Sequence, residues 1–253
     1  MQPQAPISPD GLWMWNGSQW VPNPYRPMLA PPQAVPYESG SFRATLATIF
    51  LAANVVGLLL AAAFDIVNAS HMTQSNPGDT LTTVEGLLAI LAVLSYYGTL
   101  IPAIVFFCMW VHRIVRNMPA IGSPDPRWSP SGAVWRCFVP ILNLIHPLYS
   151  VLDAWRGASP GSRWTNVNMR KSIGAPALIA GWWAAWIVAG VVGRIGYFMS
   201  RGSDLSTQVA GAYVDVIDSV LFIVAAVLAI MVLRDVTSRQ ESKNQLIASG
   251  QLV

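Results

Sequence analysis

The chain has 253 residues, of which 53% are hydrophobic and only 11% charged, against about 25% charged in an ordinary soluble domain. So little charge cannot cover a water-facing surface, which excludes a soluble globule and points to lipid. The net charge of +3 needs no nucleic acid to explain it, because the basic residues fall where anionic inner-leaflet lipids attract them.

Residues 1–22 carry the run Asp10-Gly11-Leu12-Trp13-Met14-Trp15-Asn16-Gly17-Ser18-Gln19-Trp20. Asn-Gly between two short strand-like runs signals a hairpin, since a type I′ turn needs two residues that tolerate positive φ. The expected register sets Trp15 opposite Ser18 and Trp13 opposite Trp20, with Trp13, Trp15 and Trp20 on one face. An isolated hairpin is only marginally stable in water, so that face needs a cover: the bilayer surface, a loop of the chain, or a partner. Residues 23–43 form a linker, because six prolines between 22 and 36 favour extended chain.

A hydrocarbon core of about 30 Å takes about 20 apolar residues in a helix. Four runs reach that length, 44–67, 86–111, 173–193 and 212–233. The first holds one charge, Asp65, at its far end, and is too long and too far from the start for a signal-peptide h-region. The second closes on His112, Arg113 and Arg116, whose side chains reach the interface. The fourth carries Asp215 and Asp218 in its first two turns. Together they define a membrane domain over 44–235, followed by a cytoplasmic tail over 236–253.

Between the second and third runs, Cys137 to Leu152 is apolar but holds Pro140 and Pro147. Proline removes a helix hydrogen bond, and unsatisfied backbone in lipid must be shielded. A segment over about 133–155 therefore either lies along the interface as an amphipathic element or dips in and returns. Trp135, Tyr149 and Trp155 prefer interfacial depth and favour the first. The expected fold class is an all-α integral membrane protein of four transmembrane helices, with a proline-broken interfacial or re-entrant helix between the second and third and a small N-terminal β-hairpin.

Of the 15 Lys and Arg, two precede the first run, none lies between the first and second, eight lie between the second and third, two between the third and fourth, and three follow the fourth. Placing both termini inside puts 13 in the cytoplasm and 2 outside, the asymmetry of the positive-inside rule. Cys108 and Cys137 are then in a reducing compartment. With no CxxC they read as small apolar fillers without a redox or metal role.

The basic end of the second run, the Val139-Pro140-Ile141-Leu142-Asn143-Leu144 stretch with Pro147, the Asp153-Ala154-Trp155 exit and the Gly181-Trp182-Trp183 span together resemble a bacterial multi-pass family, domain of unknown function 4328 (DUF4328), over about residues 44–235. The resemblance implies an architecture and brings no activity with it. The front motif is similar to short Trp-rich repeats found before bacterial membrane domains, which commonly read Trp-Trp-Asp-Gly; Met14 and Asn16 depart from that pattern.

Several residues are candidates for function, each with a packing alternative. Asp215 and Asp218 share a helical face and are costly in lipid; interfacial anchoring by Arg194 and Arg201 competes with a proton, ion or substrate role. Trp182 and Trp186 lie mid-span beside Ala177, Gly181, Ala185, Ala189 and Gly193, a small-residue stripe suited to close helix packing or to a flat ligand. Arg136, Asn143 and His146 lie in the broken segment, where they line a groove for a headgroup or small substrate or satisfy freed backbone. HExxH, GxSxG, GxGxxG and Walker-type motifs are absent from the sequence, so no catalytic residue, cofactor or metal is expected. The function expected first is a non-enzymatic scaffold that binds a protein partner on its cytoplasmic face through Trp13, Trp15 and Trp20. A small-solute or lipid transporter or channel subunit, working as a homo-oligomer, comes second, and a lipid-modifying enzyme third. Membrane lipids are the remaining expected partner, and the cell membrane the expected location.

Overall fold

The structure, a computed structural model, describes residues 13–22, 36–74, 80–159 and 173–251. The chain divides into two compact units, residues 1–35 and 36–253. Most of the proline-rich linker, residues 23–35, lies outside the described residues.

The first unit holds an antiparallel hairpin of β1 (Trp13–Trp15) and β2 (Trp20–Pro22). Its register corrects the expectation: Trp15 pairs with Trp20, Met14 with Val21 and Trp13 with Pro22. The loop thus spans four residues rather than two. The Asn16 side chain decides this, because its Oδ1 accepts hydrogen bonds from Ser18 N (3.0 Å) and Gln19 N (2.9 Å), while Asn16 N donates to Gln19 O. Only Gly17 takes a positive φ, +101°, so the two-residue type I′ turn, which needs two such residues, does not form.

The second unit is built on four long helices, α1 (Ser41–Gln74), α2 (Thr83–Arg116), α6 (Ala177–Met199) and α7 (Leu205–Ala248). All four are long and apolar enough to cross a membrane, and residues such as Leu94, Val84 and Phe198 stand exposed along them, as lipid contact requires. At 1.5 Å per residue, α1 and α2 each run about 51 Å and outlast a hydrocarbon core of about 30 Å. Polar caps set their ends. Thr82 and Glu85 close a reciprocal capping box on α2, and the Asp204 side chain accepts from Thr207 N at the start of α7. The third apolar run begins at 173, but α6 begins only after Pro176, its N-cap.

α1 packs on α2 and α7, and α6 packs on α7. The α1–α2 contact is backbone-close. A Cβ on Gly57 would lie 2.9 Å from the Tyr96 backbone, and buried Asn54 donates to Tyr96 O and Thr99 Oγ1, both at 3.0 Å. These bonds sit in the two turns before Pro102 inside α2, whose missing N–H leaves one bond out of the helix ladder.

At the end of the bundle that carries the α2 C-terminus, a buried polar seam joins α7 to α2 and to the helix that ends at Gly157. Trp110 Nε1 donates to Thr237 Oγ1 (2.9 Å), Gln240 Nε2 to Ile114 O (2.8 Å) and Lys243 Nζ to Gly157 O (2.7 Å). Arg113 pairs with Glu38 at 2.6 Å. The nearby Tyr37 hydroxyl is buried without a hydrogen-bond partner, and burial followed by the charge of Glu241 pushes its pKa up to about 12.

The stretch between α2 and α6 is broken into α3 (Pro130–Trp135), α4 (Pro140–Asn143) and α5 (His146–Gly157). Each starts with proline in its first turn, the position where the missing N–H costs least. Val151, Leu152, Ala154 and Trp155 of α5 are buried, while Phe138, Ile141, Leu144 and Ile145 are exposed. The fold class is therefore the expected one: four membrane-crossing helices, a proline-broken segment between the second and third, and a small hairpin.

Candidate functional site

The spanning part of the bundle holds three carboxylates. α7 carries Asp215 and Asp218 three residues apart, hence on one face, and α1 brings Asp65 within electrostatic range of both. α6 makes the room. A Cβ on Gly193 would lie 2.7 Å from Asp218 Oδ2, and one on Gly196 would collide with Asp215 Oδ1. The last turns of α6 are thus shaped around the two acids, with glycine where any side chain would displace them.

Among the described residues, no ion pair answers them. Arg194 and Arg201, the expected partners, instead lie over aromatic rings: Arg194 over Tyr197 and Phe198 (5.8 and 5.2 Å) and Arg201 over Tyr197 (4.5 Å). Tyr197 and Phe198 lie in the last turn of α6, where a guanidinium over a ring keeps its contact with water. Among the described residues, the ion pairs are His71–Glu85, Arg113–Glu38 and Arg239–Asp235, none of which involves these aspartates. Asp218 Oδ1 is buried and has no hydrogen-bond partner. The three acids do not form a metal-ligand set.

The candidates of the broken segment are brought together in part. His146 lies with its ring centroid 4.7 Å from that of Trp128, and its Nδ1 is 3.0 Å from Leu142 O, so Nδ1 carries the proton. Arg136 donates to Gly132 O (2.8 Å) and lies over Trp128 and Trp135. Asn143 closes α4, its backbone N–H bonded to Val139 O at 2.7 Å.

Trp182 is buried in the core against Phe107, and Trp186 stacks on Trp183 with centroids 4.9 Å apart. Trp183, missed as a candidate, has the more specific role. Its Nε1 donates to Leu144 O (3.1 Å), supplying a bond to backbone at the break between α4 and α5. The Cys137 thiol donates to Ala133 O (3.4 Å), and the neighbouring Cys108 draws its pKa down, a proximity that spacing in sequence does not show.

Asp65 was also missed as a site residue, although a lone charge in an apolar run was its visible signal. In the first unit, Trp15 and Trp20 meet edge to face with centroids 5.6 Å apart, and Trp20 is 49% exposed. Trp13 is placed by its backbone pairing with Pro22.

The profile of a family described as domain of unknown function (DUF4328) matches residues 69–238. The chain belongs to the DUF4328 family. The match takes in α2 through the membrane-crossing part of α7, including Asp215 and Asp218, and begins just after Asp65. It is shorter at its front than the expected 44–235. No curated protein and no solved structure matches the chain.

Proposed function

We propose that this multi-pass membrane protein conducts protons through Asp65, Asp215 and Asp218, as a channel subunit. The observation that supports the reading is three carboxylates gathered from α1 and α7 in the spanning region with no described cation beside them. Acids in lipid are costly and mark ion or proton paths. A metal ion would need tighter convergence than these three show, which favours the proton. Four spans make a thin wall, so the working unit is a homo-oligomer. It lies in the cell membrane with both termini cytoplasmic, the orientation favoured by the distribution of Lys and Arg. In proteoliposomes carrying a pH gradient, the wild-type protein is expected to dissipate the gradient, and Asp218→Asn and Gly196→Ala to abolish that flux. Equal flux in wild type, variants and empty liposomes rejects the reading.

A second reading rests on the hairpin, whose half-exposed Trp20 and edge-to-face Trp15 suit docking of a protein partner on the cytoplasmic face. Co-purification of the same proteins with wild type and with a Trp15→Ala, Trp20→Ala variant rejects it.

A further inference from the structure

Arg127 and Arg136 share the Trp128 ring in the stretch between α2 and α5, and Arg156 follows within α5. Arg127 lies over Trp128 (5.5 Å) and Tyr149 (4.7 Å), and Arg136 over the same Trp128 (5.2 Å) and over Trp135 (4.8 Å). Arg156 of α5 is close enough to Arg127 to feel its charge. Stacking on rings holds a guanidinium in place while leaving its edge free to bond.

Arg127 Nε and Arg156 Nε are buried with no hydrogen-bond partner, and none of the three arginines takes part in the ion pairs of the described residues. The carboxylate that faces them is Asp153, which accepts from Arg127 N (3.0 Å) and lies near Arg156. Among the described residues, the three guanidiniums outnumber the carboxylate placed against them.

The surroundings say what kind of anion fits. The chain that follows Arg136 exposes Phe138, Ile141, Leu144 and Ile145, with Ile141 78% exposed. Water is a poor neighbour for such a row, and hydrocarbon a good one. A guanidinium fork matches phosphate oxygens, and acyl chains match the apolar row beside it.

We infer that Arg127, Arg136 and Arg156 form a binding site for the phosphate headgroup of an anionic phospholipid, whose acyl chains lie along Phe138, Ile141, Leu144 and Ile145. The site anchors the proline-broken segment at the depth of the headgroups. It is independent of the aspartates of the spanning region.

The test uses full-length protein in nanodiscs of phosphatidylcholine with a minor share of phosphatidylglycerol, and mass spectrometry of the lipid retained after detergent extraction. Wild type is expected to retain phosphatidylglycerol at about tenfold or more above its share of the nanodisc, the ratio given by a preference of about 1.4 kcal/mol. Single Arg127→Gln, Arg136→Gln and Arg156→Gln variants each lose most of that enrichment while far-UV circular dichroism stays unchanged. Arg136→Lys keeps part of it, and Arg201→Gln, away from the cluster, keeps all of it. The inference is overturned if the cluster variants retain the lipid as wild type does, if Arg201→Gln loses it equally, or if inorganic phosphate displaces it fully.

Discussion

Thr237→Val exchanges a hydroxyl for a methyl of nearly equal volume at one point of the seam between α2 and α7. Thr237 is 7% exposed and its partner Trp110 is 0% exposed, so water cannot replace the lost acceptor of the indole N–H, now held at 2.9 Å. A buried donor left without a partner costs about 1–3 kcal/mol. Since the packing volume barely changes, that figure is the whole expected effect. Trp110→Phe removes the donor, so in that background Thr237→Val is expected to be near neutral. The double-mutant cycle should return a coupling equal to that difference, about 1–3 kcal/mol. Equilibrium unfolding by SDS in mixed micelles, followed by far-UV circular dichroism, measures all four corners. An equal cost of Thr237→Val in both backgrounds would show that the hydrogen bond contributes nothing and that the seam is held by packing alone.

Tyr37→Phe should stabilise by up to about 1 kcal/mol, because it removes a buried hydroxyl that has no partner. With a folded pKa raised to about 12 from 10.0, the contribution of Tyr37 is complete below about pH 10 and is lost as pH rises toward 12; unfolding curves of the Phe variant should be flatter across that window. Asp204 has its pKa lowered to about 2 by Ser206 and Thr207, so its support of the α7 start is present above about pH 4 and is lost as pH falls through 2. Asp204→Ala should raise amide exchange at Thr207 at neutral pH, while Asp204→Asn, which still caps, should not. Gly57→Leu puts a Cβ 2.9 Å from the Tyr96 backbone and should cost about 1–3 kcal/mol or more in the same SDS titration, whereas Gly181→Ala, with open space around it, should be neutral.

The four spans were legible because uninterrupted apolar length is a property of composition alone. The broken segment was legible for the same kind of reason, since Pro130, Pro140 and Pro147 punctuate helix locally and each begins one in the structure. The hairpin shows the limit of local rules: Asn16-Gly17 marks a turn, but whether Asn16 takes a positive φ or caps Ser18 and Gln19 with its side chain is settled by competition between two local bonds. The polar seam was less visible still. Thr237, Gln240 and Lys243 follow the last apolar run and look like the start of a solvated tail, yet α7 continues to Ala248 and buries all three. Their spacing with Leu233 and Val236 was the available sign, a helical face prolonged past the apolar run. The acid cluster needed the tertiary structure, because Asp65 and Asp218 are far apart in sequence and come within electrostatic range only through the packing of α1 on α7.

The central claim is that Asp65, Asp215 and Asp218 exchange protons as one group in the spanning region. Infrared difference spectroscopy of the protein in nanodiscs, stepping the pH and observing the carboxyl C=O band, tests it most directly. The account predicts a titrating band that shrinks in each of Asp65→Asn, Asp215→Asn and Asp218→Asn and whose remaining part shifts in pH, as coupled sites require. A wild-type spectrum with no such band, or single variants that leave the rest of the titration unmoved, would contradict it.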